Sequence, residues 1–396
     1  MKQCVILVGG KGSRLGELTK NTPKPMLEIN NKPFLIYLID TIIRYGFTDI
    51  ILLASHANKV LIDYFNKHSY KNCKIKIIIE DEPLGTGGAL VNAYDYLNDS
   101  FFCLNGDSII DGNWLSLVEN FDLNSQAVIG LTETDDSTRY GSIEIKNKKI
   151  ISFNEKNKGS KSNLINGGVY LLRKSIFRNF KKNFLSLEND IFPKLVNSGE
   201  ANGLKIKGFF IDIGTVESLE YAKKRNWQED KKAVIFDRDG TLNYDKGYTY
   251  KPEDLIWNNG ATDLIKYLNN NNYLVFVATN QAGIAKGKFL ENDMFKFHEN
   301  MQEKLRNLGA HIDKFYYCPF HVEGIVEKYK IDSNDRKPNV GMLNSIHKEW
   351  NLKKSNMIMI GDRDTDIECA LRFKIQGYKY NGQDDIMQFF KNNIIF

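Results

Sequence analysis

Cysteine is scarce and unpaired in this sequence: Cys4, Cys73, Cys103, Cys318 and Cys369 lie far apart, with no C-x-x-C among them. That argues against a disulfide-stapled scaffold and fits thiols kept reduced. Long apolar runs are missing too. No stretch approaches the roughly 20 apolar residues of a spanning helix. The opening M-K-Q-C-V-I-L-V-G-G has too short an apolar run for a signal peptide and lacks a small-residue cleavage site. The expectation is a cytoplasmic chain without a membrane partner. An excess of one charge is also absent. Lys and Arg number 54 against 49 Asp and Glu, a net +5 that is too weak a bias to point to nucleic acid. No internal repeat or long low-complexity tract occurs.

What is present describes a globular protein, 42% hydrophobic and 26% charged. Its 396 residues exceed a usual single domain, so two are expected. The charged run Lys223 to Lys232 separates them, and a new apolar run, Ala233 to Phe236, follows at once. This places one domain at 1–228 and a second at 229–396. In the first, apolar β-rich runs at Cys4 to Val8, Ile50 to Ala54, Ile75 to Ile79 and Phe101 to Leu104 alternate with helical stretches at Phe34 to Tyr45 and Gly88 to Leu97. Such alternation predicts an α/β fold with a parallel sheet, its chemistry just beyond the strands' carboxyl ends.

Beyond the first run stands L-V-G-G-K-G-S-R-L-G-E-L-T-K-N-T-P-K-P, Leu7 to Pro25, with Gly9, Gly10, Gly12 and Gly16 among Lys11, Ser13, Arg14 and Lys24. Glycines let backbone N–H groups crowd a phosphate, and fixed cations neutralise it. The spacing is wrong for a P-loop, since no Gly-Lys-Ser/Thr closes the turn. It is also wrong for a dinucleotide fingerprint, because Gly10 and Gly12 are followed by Leu15 and the second strand ends at Ala54-Ser55-His56 without an acid. A triphosphate cradle is the reading left. After the third run comes E-D-E-P-L-G-T-G-G-A, Glu80 to Ala89, where glycines including Gly85 open a helix and suit a base or a phosphate. Glu80, an acceptor when ionised, matches the adjacent donors of guanine. Asp107 follows the fourth run, and Asp212 ends Phe210-Ile211-Asp212-Ile213-Gly214-Thr215. Two carboxylates at strand ends suit magnesium, which binds one or two acids together with substrate phosphates.

The G-G-K-G-S-R-L and P-K-P segments resemble the signature of sugar-1-phosphate nucleotidyltransferases, and the resemblance extends at intervals to about Thr215. It implies a Rossmann-like, GT-A-like sheet with flanking helices. It further implies a backbone wrapped around the nucleotide, Arg14 on the triphosphate, Lys24 on the reacting phosphates, and a metal pair of Asp107 and Asp212. Segments around Gly141, Glu155-Lys156 and Asn166 match the family's sugar-phosphate contacts, with Glu155 on sugar hydroxyls and Lys156 on the sugar's phosphate. The Glu80 segment resembles guanylyltransferases, which implies GTP.

In the second domain Asp237-Arg238-Asp239-Gly240-Thr241 ends a strand. Alternate residues of an extended segment point the same way, so Asp237 can attack phosphorus while Asp239 handles the leaving group's proton. Thr279-Asn280, Arg336-Lys337-Pro338 and Gly361-Asp362-Arg363-Asp364 follow in order. The series resembles haloacid-dehalogenase (HAD) phosphatases with a Rossmannoid fold. The resemblance implies phosphate binding by Thr279, Asn280, Arg336 and Lys337, and magnesium on Asp237, the main-chain carbonyl of Asp239, and Asp362. D-x-D-G-T-L-N, K-G-Y and T-N-Q-A-G-I-A-K-G resemble the heptose bisphosphate and histidinol phosphate phosphatases. That family usually holds a structural zinc, but here Phe320 stands where its His should be and Ser333 and Asp335 replace a cysteine pair, so no zinc is expected.

The two resemblances together imply a bifunctional enzyme. One half would strip heptose 1,7-bisphosphate at C7, and the other would join the heptose 1-phosphate to GTP, giving GDP-heptose for a surface polysaccharide. Two competing expectations are a hexose-1-phosphate nucleotidyltransferase using another NTP, joined to a histidinol-phosphate-type phosphatase, and a non-catalytic nucleotide-sugar sensor. The survival of Asp107, Asp212, Asp237, Asp239 and Asp362 speaks against the sensor. Whether like chains associate as a homo-oligomer is left open by the sequence.

Overall fold

The structure is a computed structural model describing residues 2–10, 12–55, 58–71, 73–134, 141–154, 162–225 and 231–394. The chain divides into two compact units, Met1–Arg225 and Asn226–Phe396. The boundary expected between 228 and 229 falls within 226–230, outside the described residues. No described helix is long and apolar enough to cross a membrane.

The first unit is built from β1 (Gln3–Leu7), β2 (Asp49–Ala54), β3 (Lys74–Ile79), β4 (Ser100–Asn105), β5 (Ser108–Asp111), β6 (Ala127–Glu133), β7 (Ser142–Lys146), β8 (Lys149–Asn154), β9 (Leu164–Arg173), β10 (Ala201–Lys205) and β11 (Phe209–Asp212). Among the described residues, nine of these strands form one sheet in the order β3-β2-β1-β4-β9-β6-β10-β8-β7. The expected parallel sheet is found only in its first four strands. Beyond β4 the sheet turns mixed, because β9 runs antiparallel to both β4 and β6. The four apolar β-rich runs all lie in the parallel part, where the apolar pattern is nearly continuous, whereas Phe210 to Asp212 falls outside the large sheet. Alternate residues Val5, Ile51, Leu53, Phe101 and Cys103 share a core with Leu90 and Phe192. Helix Phe34–Arg44 buries Phe34, Leu35, Leu38, Ile39 and Ile42 at helical spacing and begins directly after Pro33.

β5 and β11 pair outside the large sheet as an antiparallel ribbon, with Ser108 opposite Asp212 and Asp111 opposite Phe209. That register brings Asp107 and Asp212 to one end of the ribbon, although 105 positions separate them. The other end closes at Gly112, whose carbonyl accepts a hydrogen bond from Tyr45 Oη at 2.8 Å.

In the second unit β12 (Ala233–Phe236), β13 (Leu274–Asn280), β14 (Lys314–Cys318), β15 (Met357–Gly361) and β16 (Gln376–Lys379) form a parallel sheet in the order β14-β13-β12-β15-β16. One face packs Val234, Phe236, Val275, Val277 and Ile360 against Leu264, Leu268, Phe297 and Met301. The other packs Ile235, Phe276 and Met359 against Leu343, Ile346 and Phe373. Helices on both faces leave ligands access at the carboxyl edge, where Asp237, Thr279, Asn280 and Asp362 stand.

A Cβ on Gly112 would sit 2.2 Å from the Lys207 carbonyl oxygen and 2.8 Å from Ile206 Cγ2. Gly112→Ala must therefore spread the ribbon. It is expected to cost about 1–3 kcal/mol, as overpacking does, read as a lowered midpoint in urea unfolding of the full chain.

Candidate functional sites

In the first unit the loop after β1 is shaped by Gly12, whose left-handed φ of 61° a side chain would disfavour. The Thr19 hydroxyl donates to the Gly12 and Gly16 carbonyls at 2.9 and 3.3 Å, tying the loop into a turn that carries Arg14. Ser13 opens the short 3-10 helix Ser13–Thr19, and Lys11 lies outside the described residues. Two cavities adjoin this loop. One, of about 460 Å³, is lined by Leu7, Gly9, Gly10, Glu80 and Gly85, among others. The second, of about 330 Å³, is lined by Gly12, Arg14, Asn166, Asp212 and Gly214. Lys24, Asn105 and Asp107 line both.

The structure therefore gathers most of the predicted residues at the carboxyl ends of β1, β3 and β4. Glu80 is buried and accepts a hydrogen bond from the Leu84 backbone N–H at 3.2 Å. Burial raises its carboxyl above the usual range, against the pull of that bond. Lys24 Nζ lies 2.6 Å from Asp107 Oδ2. The Ile213 N–H donates to the Asp107 carbonyl at 2.9 Å, so the two acids' backbones are locked together. Two carboxylates and two amide side chains on one polar cavity fit a divalent cation, which must compete with Lys24 for Asp107. The Asn166 side chain bonds Tyr170 Oη and the Gly168 N–H at 2.9 Å each. Gly141 is buried with a φ of 77° and is not among the lining residues of either cavity. Glu155 and Lys156 lie outside the described residues.

In the second unit a cavity of about 590 Å³ is lined by Asp237, Asp239, Thr279, Asn280, Arg336, Lys337 and Asp366, among others. Lys337 Nζ sits 2.7 Å from Asp237 and 2.6 Å from Asp366, all three buried. Burial pushes the Asp237 carboxyl up to about 7, with Asp366 adding to the rise and the Lys337 ammonium opposing it. For Lys337, burial disfavours the charge but the two acids outweigh it, so its pKa rises. Ligand oxygens of Asp237, Asp362 and Asp366 lie within 4.8 Å of one another, a spacing that fits one divalent cation.

Asp366 is a member the sequence reading missed. Asp364, quoted with Asp362, is exposed and paired to Lys379 at 2.5 Å. Asp366 is buried in the first turn of helix Asp364–Phe373, where it accepts from the Arg363 N–H at 3.0 Å. An acid four positions after Asp362, at a helix start beside a strand end, was the available signal. The Asp239 carboxylate is held by Arg238 at 3.0 and 2.7 Å, Asn243 at 3.1 Å and Gln281 at 3.0 Å. Gln281 also donates to Thr279 Oγ1 at 2.9 Å. The Asn280 amide grips the Lys337 backbone at both ends, accepting from its N–H and donating to its carbonyl, at 3.0 Å each. Arg336 Nη1 reaches the Phe320 carbonyl at 3.4 Å, and the Cys318 thiol lies 3.9 Å from the same oxygen.

Two outcomes follow from these contacts. Asn280→Ala frees the Lys337 backbone, so phosphomonoester turnover should fall about tenfold or more, measured as kcat/KM for phosphate release. Glu80, with its raised folded-state pKa, stabilises the fold below the ordinary carboxyl pKa. That contribution is lost as pH climbs through the raised value. Glu80→Gln should accordingly lower the urea midpoint at pH 4.5 relative to the midpoint at pH 7, compared with the parent chain.

Comparison with known proteins finds relatives for both units. The nucleotidyl transferase family matches residues 3–229, and a HAD-hydrolase-like family matches residues 334–381. The chain is 37% identical over 220 residues to D-glycero-alpha-D-manno-heptose 1-phosphate guanylyltransferase of Campylobacter jejuni, covering 54% of this chain and 96% of that protein. It is 38% identical over 152 residues to D-glycero-beta-D-manno-heptose-1,7-bisphosphate 7-phosphatase of Rhodopseudomonas palustris, covering 38% of this chain and 84% of that protein. The crystal structure of HddC from Yersinia pseudotuberculosis complexed with GMP-PN is similar at 37% identity, with a TM-score of 0.51 over 57% of this chain and 99% of that one. With its acids and lysines gathered at these strand ends, the chain belongs to the nucleotidyl transferase family through its first unit and to the HAD-like hydrolases through its second.

Proposed function

We propose that the chain carries out two consecutive steps of nucleotide-activated heptose synthesis. The second unit removes the C7 phosphate of D-glycero-α-D-manno-heptose 1,7-bisphosphate. The first then transfers GMP from GTP to the heptose 1-phosphate, releasing pyrophosphate. The observation that carries this reading is that the phosphatase relative is named for a heptose 1,7-bisphosphate, whose loss of the C7 phosphate leaves a heptose 1-phosphate, the class of sugar phosphate for which the guanylyltransferase relative is named. The phosphatase relative is named for the β anomer and the guanylyltransferase relative for the α. The α form is proposed here because the transfer half's relative is named for it.

In the phosphatase step, the Asp237 carboxylate attacks phosphorus and forms an aspartyl phosphate. Asp239 delivers a proton to the departing C7 oxygen, and water then releases phosphate. Lys337, fixed by Asn280 and flanked by Asp366, balances charge on the phosphoryl oxygens. Thr279 and Arg336 line the space where that group would sit. In the transfer step an oxygen of the sugar phosphate attacks the α-phosphorus in line with pyrophosphate. No protein nucleophile is needed, and Arg14 and Lys24 align and neutralise the triphosphate. Glu155, Lys156, Asn166 and Gly141 are assigned to the sugar phosphate, and Glu80 to the guanine edge. Magnesium, bound by Asp107 and Asp212 in one unit and by Asp237, Asp362 and Asp366 with the Asp239 carbonyl in the other, would supply further neutralisation of phosphate charge. These small polar substrates accord with a cytoplasmic site of action.

Purified chain given the α-bisphosphate, magnesium and each of four NTPs should make nucleotide sugar and pyrophosphate with GTP, and release phosphate faster from the α than from the β anomer. Asp107→Asn should lower nucleotidyl transfer about a hundredfold or more while phosphate release persists, and Asp237→Asn should stop phosphate release. Metal analysis should find less than one zinc per chain. Nucleotide sugar from none of the NTPs ends the reading.

A further inference from the structure

Phe184 is the one aromatic residue among those lining the first cavity, and it is 71% exposed. Its main chain is nonetheless fixed. The Leu185 N–H donates to the Leu84 carbonyl at 2.8 Å, and the Gly87 and Gly88 N–H groups both donate to the Leu185 carbonyl, at 2.8 and 3.0 Å. The Leu187 N–H donates to Thr86 Oγ1 at 2.8 Å, and that hydroxyl donates to Glu188 at 2.8 Å. The segment from Phe184 to Glu188 is thus laid along the start of helix Gly85–Asn92, and Phe184 lines the same cavity as Glu80. A Cβ built on Gly85 would fall 3.3 Å from Phe184 Cε2, so one ring edge rests at Gly85 while most of the ring stays open.

A ring held in this way buries little apolar surface in the free protein, and it gains only when a flat partner covers it. Phosphates offer no such face and a sugar offers only a small C–H face between its hydroxyls, whereas a heterocyclic base presents a whole flat one. The same cavity supplies apolar walls in Leu53, Pro83 and Ala89, with the Glu80 carboxylate as an acceptor beside them and Asp107 also on the lining. We propose that Phe184 is the stacking platform for the base of the nucleoside triphosphate, carried by a segment hydrogen-bonded to the helix that opens the nucleotide cavity. This rests on the nucleotidyl-transfer reading and deepens it: Glu80 reads the base edge and Phe184 holds its face. Stacking is tolerant of base identity, so selectivity stays with the edge.

The test is calorimetric binding of GTP and of inorganic tripolyphosphate, with magnesium, to the full chain and to Phe184→Ala, Phe184→Leu and Phe184→Tyr, with circular dichroism as the check on folding. GTP binding should weaken about tenfold in the alanine variant and less in leucine, and return in tyrosine. Tripolyphosphate, which has no base, should bind all four alike. Unchanged GTP affinity in Phe184→Ala overturns the proposal, and so does an equal loss for GTP and tripolyphosphate, which marks a collapsed loop. A parent chain that prefers another NTP defeats the guanylyl assignment alone, since the same ratio measured with that nucleotide still reads the stacking. Binding of no nucleotide above tripolyphosphate defeats both.

Discussion

A lysine ammonium held against a carboxylate at hydrogen-bond distance is the contact on which both sites depend. Lys24 meets Asp107 at 2.6 Å, and Lys337 meets Asp237 and Asp366 at 2.7 and 2.6 Å. Phosphoryl chemistry calls for several acids close together, and like charges within a few ångströms oppose one another's ionisation. A fixed cation among them lets the acids stay converged. The arrangement also places a positive charge where a phosphoryl group would bring negative charge.

The second unit takes this further because its group is buried. Removing charges from water is costly, and a buried pair is tolerable only when geometry and hydrogen bonds are good. Here the geometry is set from behind: Asn280 clasps the Lys337 backbone, Asp366 is anchored by the Arg363 N–H, and Gln281, Asn243 and the buried Arg238 fix Asp239. The first unit keeps its acids nearer to solvent. It relies instead on a two-stranded ribbon, whose register places Asp212 opposite Ser108, to keep Asp107 and Asp212 together.

Local sequence could show strand-end chemistry because an α/β fold exposes its ligands there. Gly9, Gly10, Glu80, Asp107, Asp237, Thr279, Asn280 and Asp362 each follow or close an apolar run, and each stands at the edge of a sheet in the structure. Much of the second unit's parallel sheet was legible for the same reason. The mixed half of the first sheet was not, since its strands pair across long separations and no local pattern states whether β9 runs with β4 or against it. Asp366 was overlooked beside Asp364 because two acids in one helical turn look alike in a string of letters. Only burial separates them.

What the sequence determined by itself was the inventory: two α/β units, the glycine loop, the lysines and all but one of the acids of the two sites, and their order along the chain. These depend on residue type and on spacing within a few positions. The tertiary structure alone decided which of those residues meet. It set Lys24 on Asp107, joined Asp107 to Asp212, made Asp366 the buried partner of Lys337, and brought Phe184 to the cavity that holds Glu80. Those contacts span tens to more than a hundred positions, and they arise from strand pairing and core packing, which no short stretch of chain encodes.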